Sequence, residues 1–239
     1  MKKIVLILTA VLFTLVAGAQ TPGKTTLPPI SRAGDHIMFQ VGTEVWSGLP
    51  DSIDSHLKGL ARVANVYIML DKPFKGNPKM SVAFGVGVGT SSIYFSKMDV
   101  DIRSTTAKLP FVNQDSLNHF KKYKLATAFL EVPVELRYTA NPYNERKSWK
   151  FALGGKIGTL LSIHTKGKTL QDKNGTSINT YTAKETTKRF FNTTRLSLTG
   201  RVGLGNFSLF GAYQVNSLLK DGVGPDIKPF QVGLTISGL

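Results

Sequence analysis

The amino-acid sequence predicts an all-β fold, an eight-stranded antiparallel up-and-down transmembrane β-barrel, on the strength of three observations. In the run at 123–138, every second residue from position 126 is apolar or aromatic, and the interleaved residues include Glu131, Glu135 and Arg137. A period of two is typical of a strand with one apolar face. Similar runs recur along the chain, and the connections between them alternate between long and short. Strands this long, with one apolar face, suit a barrel that crosses a bilayer.

The N-terminus is interpreted as an export signal. Two lysines precede an apolar stretch at 4–16, and an Ala-Gly-Ala cleavage site follows at 17–19. The apolar stretch is shorter than the ~20 residues that a spanning helix needs, so we expect the mature chain to begin at Gln20. The predicted segments are a signal peptide at 1–19, an irregular N-terminal tail at 20–35 and a barrel domain at 36–239.

Eight segments of the mature chain alternate with a period of two. They lie at about 36–46, 60–70, 79–94, 123–138, 149–164, 191–204, 207–215 and 230–236. The connections after the first, third and fifth segments are long and polar, the one after the seventh is moderate, and the other three are short. This alternation is the pattern of outer-membrane barrels, in which short turns face the periplasm and long loops face outward.

The phase of each segment assigns its residues to lipid or to lumen. We assign the apolar phase to lipid and the polar or small phase to the lumen. In the fifth segment this rule predicts that Ile163 faces outward and that Ser162 and His164 face inward. Pro133 interrupts the best segment, and because proline has no N–H to donate, we expect a β-bulge at that position.

Charged residues recur on the inward phase of the predicted strands. They are Glu44, Glu131, Glu135, Arg137, Lys156, Arg195 and Arg201. Buried charges need partners, and the interior of an eight-stranded barrel is just wide enough to be filled by side chains. We therefore predict that these residues form one ion-paired network that closes the barrel. A selectivity ring or a proton path is the alternative interpretation.

The formal net charge of +15 indicates an anionic partner. For an exported protein, nucleic acid is not expected, whereas outer-membrane lipids and lipopolysaccharide are. The candidate contacts to lipopolysaccharide phosphates are Lys166, Lys168, Lys184, Lys188 and Arg189. Lysine and arginine bind phosphate directly if the loops that carry them face outward. Simple solvation of these side chains is the alternative.

Three segments carry a family resemblance. LEVPVELRY at 130–138, WKFALGGKIGTLLS at 149–162 and FQVGLTISGL at 230–239 resemble the PorT-like outer-membrane β-barrel family of Bacteroidetes-type bacteria. The resemblance covers most of the mature chain. It implies a cell outer membrane location. Because the name-giving member is linked to protein secretion across the outer membrane, it also implies secretion or envelope proteins as candidate partners.

No chemistry-bearing motif stands out in the chain. Cysteine is absent, the four histidines lack metal-ligand spacing, and G-x-S-x-G does not occur. We therefore predict no catalytic residue, metal or cofactor. The expected function is that of a closed, non-enzymatic barrel with a structural, surface-interaction or secretion-accessory role. The alternatives are a narrow channel or transporter, and a soluble barrel that holds an apolar ligand.

Overall fold

The computed structural model describes residues 37–144 and 147–238, which are nearly all β-strand. The predicted signal peptide, the tail, His36 and Leu239 lie outside the described residues. The elements are β1 (Ile37–Ser47), α1 (Asp51–Asp54), β2 (Arg62–Phe74), β3 (Asn77–Phe95), β4 (Met98–Val100), β5 (Phe111–Asn113), β6 (His119–Thr139), β7 (Trp149–Gln171), β8 (Ser177–Thr186), β9 (Thr194–Leu204), β10 (Phe207–Gln214) and β11 (Lys228–Ser237). Among the described residues, no helix has the length and apolar character needed to cross a membrane.

Eight of these strands form a closed antiparallel barrel. Their order around the ring is β6-β3-β2-β1-β11-β10-β9-β7, and pairing of β6 with β7 closes it. The first and last barrel strands, β1 and β11, are neighbours in the ring. The predicted eight-stranded up-and-down barrel is therefore confirmed. We call its two ends the long-loop end and the short-turn end.

The barrel is apolar outside and polar inside. On β6, the side chains of Leu130, Val134 and Leu136 are exposed by 38%, 50% and 46%, whereas Glu131 and Glu135 between them are buried. A continuous apolar surface of this kind is unfavourable in water and favourable in lipid. The apolar stretch of β6 runs about 27 Å along the strand. At the usual strand tilt this gives a belt roughly 20 Å tall, close to that of outer-membrane barrels.

A β-bulge in β7 overturns one part of the predicted facing. Ala128 pairs with Ser162 and Phe129 pairs with Leu160, so that Leu161 is left without a partner in β6. One extra residue reverses the facing of everything beyond it. Ile163 is consequently fully buried, and Ser162 and His164 turn outward. The predicted facing of these three residues was wrong for this reason.

The expected bulge at Pro133 is also wrong. The register between β3 and β6 is the same on both sides of the proline, with Phe84 opposite Val134 and Gly87 opposite Glu131. The two positions between these pairs are unpaired. On the other edge, Pro133 stays paired with Lys156 of β7. The missing N–H is therefore accommodated by a local gap in the ladder with β3, and no residue is inserted.

The long connections hold more structure than the sequence predicts. β4 and β5 form a small hairpin within the connection between β3 and β6. β6 begins at His119 and β7 runs to Gln171, so both extend beyond the barrel at the long-loop end, where β8 pairs with β7. The segment that forms β8 is rich in Thr and also contains Tyr and Ile, residues that favour strands once a pairing edge is available. The expectation that this connection is a long polar loop was wrong, because most of it is strand.

Candidate functional site

A buried carboxylate organises the middle of the lumen. Glu131 is fully buried on the inward face of β6. Its Oε2 accepts hydrogen bonds from Lys156 Nζ at 2.9 Å and from the Tyr67 hydroxyl, and its Oε1 lies 3.3 Å from Arg195 Nη1. Two cations and one neutral donor thus surround a single carboxylate. Such an arrangement offsets part of the cost of removing the charges from water.

A second group of charges lies nearer the short-turn end. Arg201 donates to both oxygens of Glu135, from Nε at 3.1 Å and from Nη2 at 2.7 Å. Arg137 Nε donates to the same carboxylate at 2.9 Å, and Arg137 Nη1 lies 3.8 Å from Asp71 Oδ1. The two-pronged geometry of Arg201 is the strong form of a charge-assisted hydrogen bond.

Glu44 is bound differently from the other six residues of the predicted network. Its Oε1 accepts from Trp46 Nε1 at 2.9 Å, and its Oε2 accepts from Gln231 Nε2 at 2.7 Å. These donors are neutral. The structure therefore brings the other six predicted residues together around Glu131 and Glu135, and holds Glu44 through uncharged side chains.

Apolar side chains fill the lumen at the long-loop end. This apolar cap includes Trp46, Phe95, Tyr123, Phe129, Phe190, Phe191, Leu218 and Leu219. The two layers meet where the guanidinium carbon of Arg195 lies 3.8 Å from the ring centroid of Phe129, a cation–π contact. The cavity that remains beside Glu135 and Lys156 has a volume of about 10 Å³. That is room for about one water molecule.

The loops that cover the cap are tied to each other. The Arg189 guanidinium donates to the backbone carbonyls of Ser104 at 3.1 Å and Thr105 at 3.0 Å. Lys188 Nζ donates to the Leu160 carbonyl at 2.8 Å. Two of the five predicted lipopolysaccharide contacts, Lys188 and Arg189, are therefore engaged in holding the cap.

The other three predicted contacts lie on one surface. Lys166, Lys168 and Lys184 are exposed on the outward face of β7 and β8. Lys122 and Lys124 of β6 share that face, because Lys122 pairs with Lys168 and Lys124 pairs with Lys166. We call these five lysines the basic face. The sequence analysis missed the two lysines of β6 as members of one set because the pairing register was unknown.

A comparison with family models decides the classification. Residues 39–238 match the model of an outer membrane protein beta-barrel domain. The chain belongs to this family. The predicted location is confirmed, and the protein is an outer-membrane β-barrel protein. The match is to the broad family, so the narrower PorT-like resemblance stays a prediction.

Two solved structures are similar to this outer-membrane barrel. Ail, the attachment invasion locus protein of Yersinia pestis, in complex with the heparin analogue sucrose octasulfate, is 11% identical with a TM-score of 0.31. Another structure of Ail is 12% identical with a TM-score of 0.33. Both alignments cover 84% of this chain and 95% of Ail. No curated protein is significantly similar to the chain. A likeness of this degree carries no argument about ligands.

The outer-membrane barrel also has a cleft that the sequence analysis did not predict. It lies at the long-loop end between the β4–β5 hairpin and the β7–β8 ribbon, and has a volume of about 370 Å³. Asp99, Glu185 and Tyr123 line it. Burial raises the pKa of Asp99 above its ordinary value, and a hydrogen bond from Gln114 Nε2 at 3.3 Å partly offsets that effect. Residues from the five strands β4 to β8 form the cleft, so sequence spacing holds no signal for it.

Several residues of the lumen groups were also missed. Tyr67 and Asp71 contact the predicted charges, yet neither was predicted as a member of the network. A signal was available, because both residues share the inward phase of β2 with Asn65 and Met69. The alternation of β2 therefore predicts that both side chains point into the lumen, where the charges lie.

Proposed function

We propose that this outer-membrane protein is a closed, non-conducting and non-enzymatic barrel that serves as a rigid platform for interactions at the cell surface. The observation that carries the proposal is that side chains fill the lumen in two layers, one charged and one apolar. Ion pairs around Glu131 and Glu135 occupy the barrel toward the short-turn end, and the apolar cap occupies the long-loop end. An eight-stranded barrel has an interior that side chains can fill completely.

A channel needs a continuous path of water through the barrel. The cavity beside Arg195 and Gln231 has no room for a water molecule, and the one beside Glu135 has a volume of about 10 Å³. The charges around Glu131 and Glu135 that could attract an ion are already paired with each other, and Glu44 is hydrogen-bonded to Trp46 and Gln231. These observations favour the closed barrel over the channel or transporter.

A soluble barrel with an apolar ligand requires the opposite distribution of side chains. Its lumen would be apolar and its outer surface polar, whereas here Glu131, Lys156 and Arg195 face inward and the outer belt is apolar. The membership of the outer-membrane family argues in the same direction.

The part of the molecule beyond the apolar belt supports a surface role. β6, β7 and β8 extend the sheet at the long-loop end. The hydrogen bond from Arg189 to the Ser104 carbonyl holds two neighbouring loops together. Loops that are positioned by a rigid scaffold often carry binding residues. A secretion-accessory role rests on the family resemblance alone.

Planar-bilayer recording of the purified protein tests the proposal. We expect no steady conductance above the leak of the bare bilayer, and a large-barrel porin inserted by the same procedure should conduct in parallel. The inserted fraction is checked by the different gel migration of unheated and boiled samples. A large, steady conductance from correctly folded protein would contradict the closed barrel.

A further inference from the structure

The basic face places like charges directly opposite each other. Lys124 of β6 pairs with Lys166 of β7, and Lys166 pairs in turn with Lys184 of β8. In the next outward-facing row toward the long-loop end, Lys122 pairs with Lys168. Directly opposed like charges on neighbouring strands destabilise a sheet. Three ammonium groups in one row across three strands therefore need an anionic partner.

The described part of the protein supplies no such partner. Within residues 37–144 and 147–238, none of the five lysines of the basic face forms an ion pair. Lys124 Nζ donates a hydrogen bond to a neutral acceptor, Ser92 Oγ, at 3.2 Å. Burial, together with the nearby charges of Lys166 and Arg62, lowers the pKa of Lys124 below its ordinary value.

The position of the basic face indicates what covers it. It lies on the outward surface of β6 and β7, two strands that carry the apolar belt, and of β8, beyond the belt toward the long-loop end. On β6, Lys124 is six residues from the exposed Leu130, which is roughly 20 Å along the strand. Arg62 marks its edge on β2, four residues from the exposed Val66, which is roughly 13 Å along the strand. Arg62 and Lys124 lie 5.3 and 5.9 Å from the ring centroid of Tyr94. An aromatic ring between cations above an apolar belt is typical of the headgroup level of a membrane.

We propose that the basic face binds the phosphate groups of lipopolysaccharide in the outer leaflet. The inference rests on the proposed function, because it requires the long-loop end to face the cell exterior. Lysine ammonium groups bind phosphate as point charges, and a row of three on adjacent strands can meet more than one phosphate at once. The bound phosphates supply the anions that the row lacks, and they fix the height and rotation of the barrel in the leaflet.

The proposal differs from the expectation based on sequence in the residues that it uses. Lys166, Lys168 and Lys184 remain, and Lys122 and Lys124 join them. Lys188 and Arg189 are excluded because the Lys188 side chain already donates to the Leu160 carbonyl and the Arg189 side chain to carbonyls of the loop that covers the cap. These basic residues thus divide into five lysines that face the lipid headgroups, and Lys188 and Arg189, which hold the loops.

Native mass spectrometry of the protein in detergent tests the proposal. The probes are lipid A with its phosphates, lipid A from which the phosphates have been removed, and inorganic pyrophosphate. The first variant carries Lys124→Gln, Lys166→Gln and Lys184→Gln. The control carries Lys58→Gln, Lys108→Gln and Lys173→Gln, three exposed loop lysines whose loss changes the net charge equally.

The expected effect is a loss of affinity for phosphorylated lipid A on the order of a hundredfold in the first variant, since each basic residue near an anionic surface contributes about fivefold. The control should stay within about threefold of the unchanged protein. Replacement of the same three residues by arginine should retain binding, which separates loss of charge from loss of folding. Heat-dependent gel migration confirms that each variant is folded.

Three outcomes would overturn the proposal. The first is an equal loss in both glutamine variants, which would indicate a nonspecific effect of net charge. The second is equal binding of lipid A with and without phosphates. The third is binding of pyrophosphate as tight as that of lipid A, which would indicate a site for free anions. Conductance is recorded on the same samples, so that an open pore counts against the closed barrel while the lipid result is judged separately.

Discussion

At the residue scale, the buried charges of the lumen stabilise the barrel only while each one keeps its oppositely charged partners. Glu135 is buried and accepts hydrogen bonds from both Arg137 and Arg201. Taking such ions out of water is costly, and their mutual attraction offsets that cost only while every partner is present. The loss of one member is therefore more harmful than its individual hydrogen bonds suggest.

Replacement of Glu135 by Gln should lower the free energy of unfolding by about 3–5 kcal/mol, because two guanidinium groups lose their counter-charge. The matched change Lys173→Gln, at an exposed loop position, should stay within about 0.5 kcal/mol. Denaturant titration, followed by the difference in gel migration between folded and unfolded protein, measures both. Equal midpoints for the two variants would show that the ion pairs do not hold the barrel.

On the lipid-facing surface, introducing a charge should be as harmful as removing one is in the lumen. Val134 is half exposed on the outward face of β6, near the middle of the apolar belt. An arginine there should cost about 2–4 kcal/mol, the range for a charged side chain near the bilayer midplane. Val134→Leu serves as the control, and refolding into lipid vesicles is the measurement. An arginine variant as stable as the leucine variant would mean that this face does not meet lipid.

At the scale of elements, the hairpin of β4 and β5 contains a carboxyl group, that of Asp99, which is partly buried and therefore costly to ionise. Burial raises the pKa of Asp99 above its ordinary value. A raised pKa in the folded state means that folding is penalised once the carboxyl ionises. The penalty is absent below the ordinary pKa, grows as the pH rises toward the raised pKa, and stays constant above it.

We therefore expect the backbone amides of the hairpin to be better protected in acid than at neutral pH, and Asp99→Asn to remove that dependence. Hydrogen exchange of β4 and β5, corrected for the intrinsic exchange rate, is the measurement. Asp221→Asn, at an exposed loop position, is the control. A pH dependence that survives in the Asp99 variant would assign it to another group.

The bulge at Leu161 shows how a single residue can change the role of an element. Below it β7 follows the predicted facing, and beyond it the phase is reversed. The reversal buries Ile163 in the cap and places Lys166 on the outer surface. One inserted residue therefore supplies both a member of the apolar cap and a central member of the basic face.

At the scale of the whole molecule, the protein reaches its membrane only if the predicted export signal is real. The segment at 1–19 precedes the described residues, so its removal stays a prediction. N-terminal sequencing of protein from the outer-membrane fraction should begin at Gln20. Ala19→Leu, which enlarges the residue before the cleavage site, should accumulate as the longer precursor. Mature protein that retains Met1 would contradict the signal assignment.

The sequence by itself determined the number of barrel strands, their lipid and lumen faces up to the bulge, and the alternation of long and short connections. These features are local, because a period of two and the composition of turns are set within one segment. The inward placement of Glu131, Glu135, Lys156, Arg195 and Arg201 follows from the same period, and the structure has them on that face. The closed barrel followed as well, since strands that cross a bilayer can leave no sheet edge unpaired, and closure is what removes the edges.

Only the tertiary structure decided which side chains meet across strands and loops. The division of the lumen charges around two carboxylates, the neutral partners of Glu44 and the gap at Pro133 all depend on register. The apolar cap, β8 and the row Lys124–Lys166–Lys184 bring together segments that are distant in the chain. A strand's pattern fixes which face each residue takes, whereas its partner and its stagger depend on the energy of the closed sheet as a whole. For that reason the faces could be predicted from the sequence and the contacts could not.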